Sequence, residues 1–313
     1  MPLLSICIPT YNRCQYLKKN LDYFVAHNSG DIEIIICDNA SSDETAHVVT
    51  DVIESNCLDN FTYIRNEFNI GPDANFKKAL SMSKGIYTLL LGDDDFLNDN
   101  FLDEFLDALK TKKEQLSFIT LMPTKDKTEP NRFIQYSIDG FDKYLIKTGP
   151  QITFMSSMVF NTNLMQKVLN LGIEYEINLF QSFLQVEVIR RNPKYRFGIF
   201  YSDIFSYNGE PTATNYNFYD VFVSKIIRLY CVALPTLSKS EVANIYKQAF
   251  MGYLIKFTII LKVLDQRPKM NKEAFDILKH FIVTWLILMP VYCVPGFIYK
   301  MMYAAYKNKR SES

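Results

Sequence analysis

Short apolar runs alternate with amphipathic stripes through the first 122 residues, and this alternation restricts the chain to a layered α/β fold. Leu3–Ile8 is a compact apolar run that Pro9 is expected to stop, after which Leu17, Leu21, Phe24 and Val25 recur at helical spacing. Ile32–Cys37 reads as a second strand. Ser41 and Glu44 form a capping-box pattern ahead of a stripe of Val48, Val49, Val52 and Ile53. Phe61–Arg65 predicts a third strand, Ala74–Ser83 a short helix closed by Gly85, and Tyr87–Leu91 a fourth strand running into Gly92-Asp93-Asp94-Asp95. A helix with Phe101, Leu102, Phe105, Leu106 and Leu109 on one side and a strand over Ser117–Met122 complete the series. Repeated β-α-β units of this length predict a mostly parallel sheet with helices on both faces.

Beyond Pro123 the pattern loosens. Lys125–Arg132 reads as a charged loop, Ile152–Phe160 and Tyr195–Phe200 as strands, and Leu179–Arg191 as a helix between them. From Asp220 onward only helices are expected, around Val221–Leu234, Glu241–Leu264, Lys272–Leu288 and Gly296–Lys309.

Charge and cysteine usage exclude several functions. Lys and Arg number 34 and so do Asp and Glu, leaving no electrostatic case for a nucleic-acid partner. The six cysteines form no CxxC pair, and Cys7 and Cys37 lie inside apolar runs, so reduced, buried thiols are expected rather than disulfides or a zinc site. His27, His47 and His280 lack metal-ligand spacing. Met1 leads directly into a strand without a basic leader, which predicts a cytoplasmic protein.

In a parallel α/β sheet, ligands sit beyond the carboxyl ends of the strands. The loops there carry Thr10-Tyr11-Asn12-Arg13, Asp38-Asn39 and Asp93-Asp94-Asp95. Consecutive aspartates raise one another's pKa unless a cation compensates. A hard divalent ion, Mn2+ or Mg2+, fits oxygen ligands and also binds a diphosphate, stabilising charge on it as a leaving group. The alternative is a solvated acidic turn capping the next helix. Asp38 ends a buried strand, where a carboxylate needs hydrogen-bond donors. A nucleobase or a ribose hydroxyl is one source, and the backbone of the Asn39–Ser42 turn is the other. Arg13 is placed to face a phosphate or, equally, solvent.

Ser5-Ile6-Cys7-Ile8-Pro9-Thr10-Tyr11-Asn12-Arg13, Glu33 to Glu44 with Asp38 at its centre, Arg65-Asn66 with Asn69-Ile70-Gly71, and Gly85-Ile86-Tyr87 leading to Gly92-Asp93-Asp94-Asp95 together resemble family 2 glycosyltransferases of the GT-A fold. The resemblance spans roughly residues 3–110. It implies inverting transfer of a sugar from a nucleoside-diphosphate-sugar donor to a hydroxyl, aided by Mn2+ or Mg2+. It implies that Pro9, Thr10, Tyr11 and Asp38 hold the nucleoside, with Arg13 beside them, Asp93 near the ribose, and Asp94 or Asp95 on the metal. Gly92 stands where the family pattern usually begins with an aspartate, so the motif is shifted or shortened. The variant is also similar to a bacterial surface-polysaccharide branch that includes abequosyltransferases. That similarity implies O-antigen or capsule synthesis on a glycan or polyprenyl-diphosphate-linked acceptor. The implied organisation is a catalytic domain over residues 1–215, with a nucleotide-sugar half (1–122) and an acceptor half (123–215), followed by a helical extension over 216–313.

Inverting transfer needs a carboxylate to take the acceptor's proton. The family's Glu-Asp pair at a helix start is absent from Asn178-Leu179-Phe180-Gln181-Ser182. Of Glu174, Glu176 and Glu187, Glu176 is named as the candidate base. Loss of the pair also keeps open a catalytically inactive nucleotide-sugar-binding or assembly protein. A nicotinamide oxidoreductase would need Gly-x-Gly-x-x-Gly after the first strand, and a nucleotidyltransferase a glycine-rich basic loop. Neither is present.

Phe281–Tyr299 carries no charge and would reach roughly 28 Å as a helix, close to a hydrocarbon core of about 30 Å. Pro290, Pro295 and Gly296 interrupt it. Trp285, Tyr292, Tyr299, Tyr303 and Tyr306, with Lys300, Lys307, Lys309 and Arg310 following, fit monotopic attachment to a membrane surface, the inner face of the cytoplasmic membrane. A buried helical hairpin is the alternative.

Overall fold

A computed structural model describes residues 1–124, 131–173, 179–206, 217–264, 266 and 269–311, the last eight of these by backbone alone. The chain divides into two compact units, Met1–Tyr144 with Gln151–Asn208, and Leu145–Pro150 with Gly209–Ser313.

The first unit is built on an eight-stranded sheet of order β3-β2-β1-β4-β7-β5-β8-β6. Its strands are β1 (Leu4–Thr10), β2 (Ile32–Asp38), β3 (Phe61–Arg65), β4 (Tyr87–Leu90), β5 (Phe118–Pro123), β6 (Arg132–Tyr136), β7 (Met158–Asn161) and β8 (Phe197–Ser202). The helices between them are α1 (Cys14–Ala26), α2 (Thr45–Ser55), α3 (Pro72–Ser81), α4 (Phe101–Thr111), α5 (Phe141–Thr148), α6 (Thr162–Leu169) and α7 (Phe180–Arg191). β3, β2, β1 and β4 run parallel, as the β-α-β repeat requires, and so do β5 and β8. β7 is antiparallel to both of its neighbours, and β6 is antiparallel to β8 at the edge.

Alternate residues of the strands serve opposite faces. Leu4, Ile6 and Ile8 with Ile32, Ile34 and Ile36 join the stripes Leu17-Leu21-Phe24 of α1, Val49-Val52 of α2 and Phe101-Phe105-Leu109 of α4 in one buried cluster. The other face, carrying Cys7, Ile35 and Cys37, receives α3, and α6 and α7 lie against β7. Cys7 and Cys37 are buried and free. Burial raises both thiols, Cys37 to about 11, so neither is poised as a nucleophile.

Several local expectations need correction. β1 passes through Pro9 instead of stopping before it. The carbonyl of Cys7 accepts the Leu91 N–H, so the polar groups of Cys7 and of Pro9 two residues on face β4. Pairing of β1 with β4 ends at Cys7–Leu90, so the N–H that Pro9 lacks has no partner to lose. Ser41 and Glu44 do not form a capping box. The Ser41 hydroxyl is taken by Asp38, and Asp43 instead accepts the N–H of Thr45 and that of Cys14, steadying the starts of both α2 and α1. Ile152–Phe160 is not one strand. Residues to Ser157 form two 3-10 turns, Gly149–Thr153 and Met155–Ser157, and β7 begins only at Met158. Residues 125–130 of the expected charged loop lie outside the described residues, and Arg132 already belongs to β6.

The second unit, considered by itself, is helical. After a π-helical turn over Asp220–Lys225 come α8 (Ile226–Ala233), α9 (Lys239–Val263), α10 (Lys272–Leu278), a second π-helical turn over Thr284–Leu288, α11 (Met289–Cys293) and α12 (Gly296–Ser311). A true capping box, Ser238 with Glu241, starts α9. Phe218, Phe222, Tyr253 and Phe257 stack around one end of α9, and Tyr230, Tyr246 and Phe250 along its middle. Lys262 donates to the carbonyls of Tyr292 and Val294, at 2.5 Å for the latter, satisfying a helix end where α11 stops.

Gly85 precedes β4 where it meets the start of β1. A Cβ there would lie 2.8 Å from the Ser5 backbone nitrogen and 2.7 Å from its Oγ. The backbone of a central strand cannot yield, so Gly85→Ala is expected to cost about 1–3 kcal/mol. Urea denaturation of the variant and the parent checks this, and an unchanged midpoint would contradict the packing described.

Candidate active site

β1, β2 and β4 end at the same rim, with Thr10 in register beside Asp38. Two left-handed residues turn the chain there, Asn12 (φ 54°) after β1 and Ala40 (φ 63°) after β2. Asparagine enters that region readily, whereas alanine there costs about 1–2 kcal/mol, strain of the kind that collects at functional turns. The turns are tied together: Asn12 donates its N–H to Ser41 Oγ at 2.9 Å and accepts the Ser42 N–H at 2.7 Å.

The loop after β4 meets the loop after β1. Thr10 Oγ1 donates to Asp93 Oδ2 at 2.7 Å, and Arg13 Nη1 lies 3.4 Å from Asp93 Oδ1 and pairs with Asp94. The Tyr11 N–H also bonds the Asp93 carboxylate, and buried Asn20 of α1 donates to the Asp93 carbonyl at 2.9 Å. Asp95 turns the other way and accepts from Ser156. Burial pushes Asp93 and Asp95 up to about 6, against the lowering effect of Thr10 and of Ser156 respectively. Burial depresses the Arg13 guanidinium, but Asp93 and Asp94 outweigh it and hold the charge. The compensating cation inferred for the aspartates is therefore supplied in part by the chain itself.

Asp38 is fully buried, and its carboxylate is enclosed. Oδ1 accepts the N–H of Ser41 at 2.9 Å and its hydroxyl at 2.5 Å, while Oδ2 accepts the Tyr63 hydroxyl at 2.8 Å and lies 3.4 Å from Arg65 Nε. The turn-holding role is thus filled. Pro9 is buried within β1, and Tyr11 is exposed at the rim. Asn39, Asn66 and Asn75, all buried, form an amide network that fixes the third motif. Asn66 donates to Asn39 and to Asn75, Asn75 donates to the Cys37 carbonyl, and Asn39 donates to Asn69 while accepting the Ile70 N–H.

The residues fit a divalent ion delivered with a diphosphate. Among the described residues no three His, Cys, Asp or Glu side chains are grouped to hold a metal. Oδ1 of Asp94 and Oδ1 of Asp95 accept no hydrogen bond among the described residues. Mg2+ and similar ions are commonly held by one or two carboxylates, with phosphate and water completing the shell. Candidate base Glu176, with Glu174, lies outside the described residues. Glu187 is buried in α7 with both oxygens taken by Arg190 and Arg191, which suits a structural carboxylate. Ser156 and Tyr63 were missed from the sequence, since neither lies near its aspartate in the chain.

The chain belongs to glycosyl transferase family 2, whose sequence model matches residues 5–163. It is 40% identical over 111 residues to abequosyltransferase RfbV of Salmonella typhimurium, covering 34% of this chain and 33% of the relative. It is 35% identical over 98 residues to the GalNAc(5)-diNAcBac-PP-undecaprenol beta-1,3-glucosyltransferase of Campylobacter jejuni, covering 31% of each. The matches span about a third of the length of these relatives. Among solved structures, S. aureus TarS 1-349 superposes with a TM-score of 0.56 at 15% identity, covering 99% of this chain and 92% of that one. Mannosyltransferase PcManGT from Pyrobaculum calidifontis, in complex with GDP-Man and Mn2+, gives 0.54 at 13% identity, covering 100% of this chain and 88% of that one. The fold is GT-A, with helices following it.

A carboxyl whose folded-state pKa exceeds its unfolded value of about 4 holds its proton more tightly when folded. For Asp95 that stabilisation is fully present below about pH 4 and is lost as pH rises through about 6. In metal-free protein, melting temperature is expected to fall across this window, and less steeply for Asp95→Asn. Parallel slopes by calorimetry would contradict the burial assigned to Asp95.

Proposed function

We propose that this chain transfers a sugar, with inversion, from a nucleoside-diphosphate-sugar to a hydroxyl of a glycan or polyprenyl-diphosphate-linked acceptor in bacterial surface-polysaccharide synthesis. One observation carries the reading: Thr10 and Arg13 meet Asp93 and Asp94 at the carboxyl rim of a GT-A sheet, inside the segment matched by the family. The abequosyltransferase and the undecaprenol-linked glucosyltransferase among the relatives support the acceptor class.

In this reading Pro9, Thr10, Tyr11 and Asp38 form the nucleoside site, and Asp93, steadied by Thr10, faces the ribose. Asp38 contributes chiefly by fixing Tyr63 and Arg65, since its own oxygens are occupied. Arg13 exchanges partners as the donor enters, leaving Asp94 for the diphosphate, so that one ion pair replaces another and little charge is left unpaired. Asp94 and Asp95 would hold Mn2+ or Mg2+, which supplies positive charge to the departing diphosphate. Glu176 takes the acceptor hydroxyl's proton as the sugar carbon is attacked, and base removal of this kind is worth roughly 10²–10⁴-fold in rate.

Asp94→Ala and Asp95→Ala are each expected to abolish Mn2+-dependent release of nucleoside diphosphate, with folding retained. Glu176→Gln is expected to slow transfer to acceptor while nucleotide binding survives. Full turnover in both aspartate variants would remove the metal assignment. An inert parent protein that still binds nucleotide would favour the binding-protein alternative.

The end of the second unit supports attachment to a membrane surface. No single helix among the described residues is long and apolar enough to cross a membrane, but Thr284–Cys293 and Gly296–Tyr303 pass together as a pair bent by 87°. Phe281, Thr284 and Leu288 are buried, while Ile282, Trp285, Leu286, Phe297, Met301 and Met302 are all more than half exposed. An apolar exposed surface of this kind, followed by the basic residues Lys307, Lys309 and Arg310, suits the headgroup boundary of an anionic bilayer. Leu286→Glu with Met301→Glu is expected to move the protein off anionic phospholipid vesicles in a flotation assay. Unchanged partitioning would overturn the attachment.

A further inference from the structure

Asp95 and Gly92 share a neighbour from outside their loop. Ser156, fully buried in the turn Met155–Ser157 just before β7, donates its hydroxyl proton to Asp95 Oδ2 and accepts the Gly92 N–H at 2.8 Å. A hydroxyl can serve an acceptor and a donor together, which an alanine at this position could not do. The bond also explains Gly92. A Cβ there would lie 2.7 Å from Asp95 Oδ2 and 3.3 Å from Ser156 Oγ. A side chain at 92 would force the Asp95 carboxylate, whose Oδ2 bonds the serine, to shift. The glycine and the serine are two halves of one arrangement.

We propose that Ser156 is a positioning residue for the sugar-transfer site: by holding Asp95 Oδ2 and the Gly92 amide, it orients Oδ1 of Asp95 as the oxygen offered to the divalent ion of the donor. The proposal rests on the transferase reading of the acidic loop. It links the glycine that begins the acidic motif to a contact from the segment ahead of β7, 61 residues beyond Asp95. Residues that orient a metal ligand typically change metal affinity by about 10–100-fold when removed.

The test is Mn2+ binding by the full chain in the presence of UDP or GDP, read by the loss of the free-ion electron paramagnetic resonance signal. Ser156→Ala is expected to raise the Mn2+ dissociation constant by about 10–100-fold, and Gly92→Ala to do the same from the other side of the bond. In an Asp95→Asn background, Ser156→Ala should add little, a coupling that a purely structural serine would not show. Mn2+ affinity within twofold of the parent in folded Ser156→Ala, with Asp95→Asn impaired, overturns the role of Ser156 alone. Failure of the parent to take up Mn2+ with either nucleotide overturns the metal reading and this proposal with it. Should Ser156→Ala not fold, unchanged Mn2+ affinity in Gly92→Ala overturns the assignment.

Discussion

The rim of the sheet is held together by a charge arrangement, the Arg13 guanidinium set across Asp93 and Asp94 with Thr10 on the far side of Asp93. Two unit charges about 4 Å apart interact by about 1 kcal/mol in water and about 4 kcal/mol near a protein surface. Adjacent carboxylates at the end of a buried strand are therefore costly unless a cation lies close by. Burial raises Asp93 and Asp95 to about 6, and the Arg13 guanidinium supplies a cation beside Asp93 and Asp94. Because Arg13 stands immediately before α1 and Asp93 follows β4, the same interaction ties the two loops together.

Around this centre the side chains mostly serve the turns. Asp38 closes the turn after β2 through Ser41, and Asp43 steadies the starts of two helices. The asparagine network joins the end of β2 to the loop before α3. Buried amides bonded to one another and to backbone leave little freedom, since each lost partner strands a buried polar group at about 1–3 kcal/mol. The turns at the rim are thus held rigidly, while among the described residues Oδ1 of Asp94 and Oδ1 of Asp95 on its acidic side accept no hydrogen bond.

Much of this was legible in the sequence, for a physical reason. Parallel strands buried on both faces are written as continuous apolar runs, so β1 to β5 and the helices among them were found to within a few residues. The rim loops were located because their polar residues abut those runs. Less was legible after Pro123. The run Ile152–Phe160 is apolar enough to pass for a strand, but its first part turns in 3-10 geometry and only its end pairs with β4 and β5. β6 has the short, half-buried pattern of an edge strand, and α6 is a two-turn helix begun by the Asn161 cap. Asp38 was correctly placed in a buried strand end that demands donors, yet the nearest suppliers were Ser41, Tyr63 and Arg65, which no local pattern ranks above a ligand.

The uneven legibility follows from how the two sides of the site are encoded. In the loops after β1, β2 and β4 the polar residues are consecutive, so turn geometry and side-chain type are read together. The contact of Ser156 with Asp95 is of another kind: one hydroxyl, brought by a strand inserted antiparallel between β4 and β5, reaches a carboxylate at the end of β4. Nothing in the run Phe154-Met155-Ser156-Ser157 marks one serine above the other, and both are fully buried. What separates them is the partner: Ser157 bonds the carbonyls of Gln151 and Phe154 just before it in the chain, whereas Ser156 bonds the acidic loop. The antiparallel insertion of β7 therefore does more than widen the sheet, because the turn ahead of it brings Ser156 against Asp95 and the Gly92 N–H.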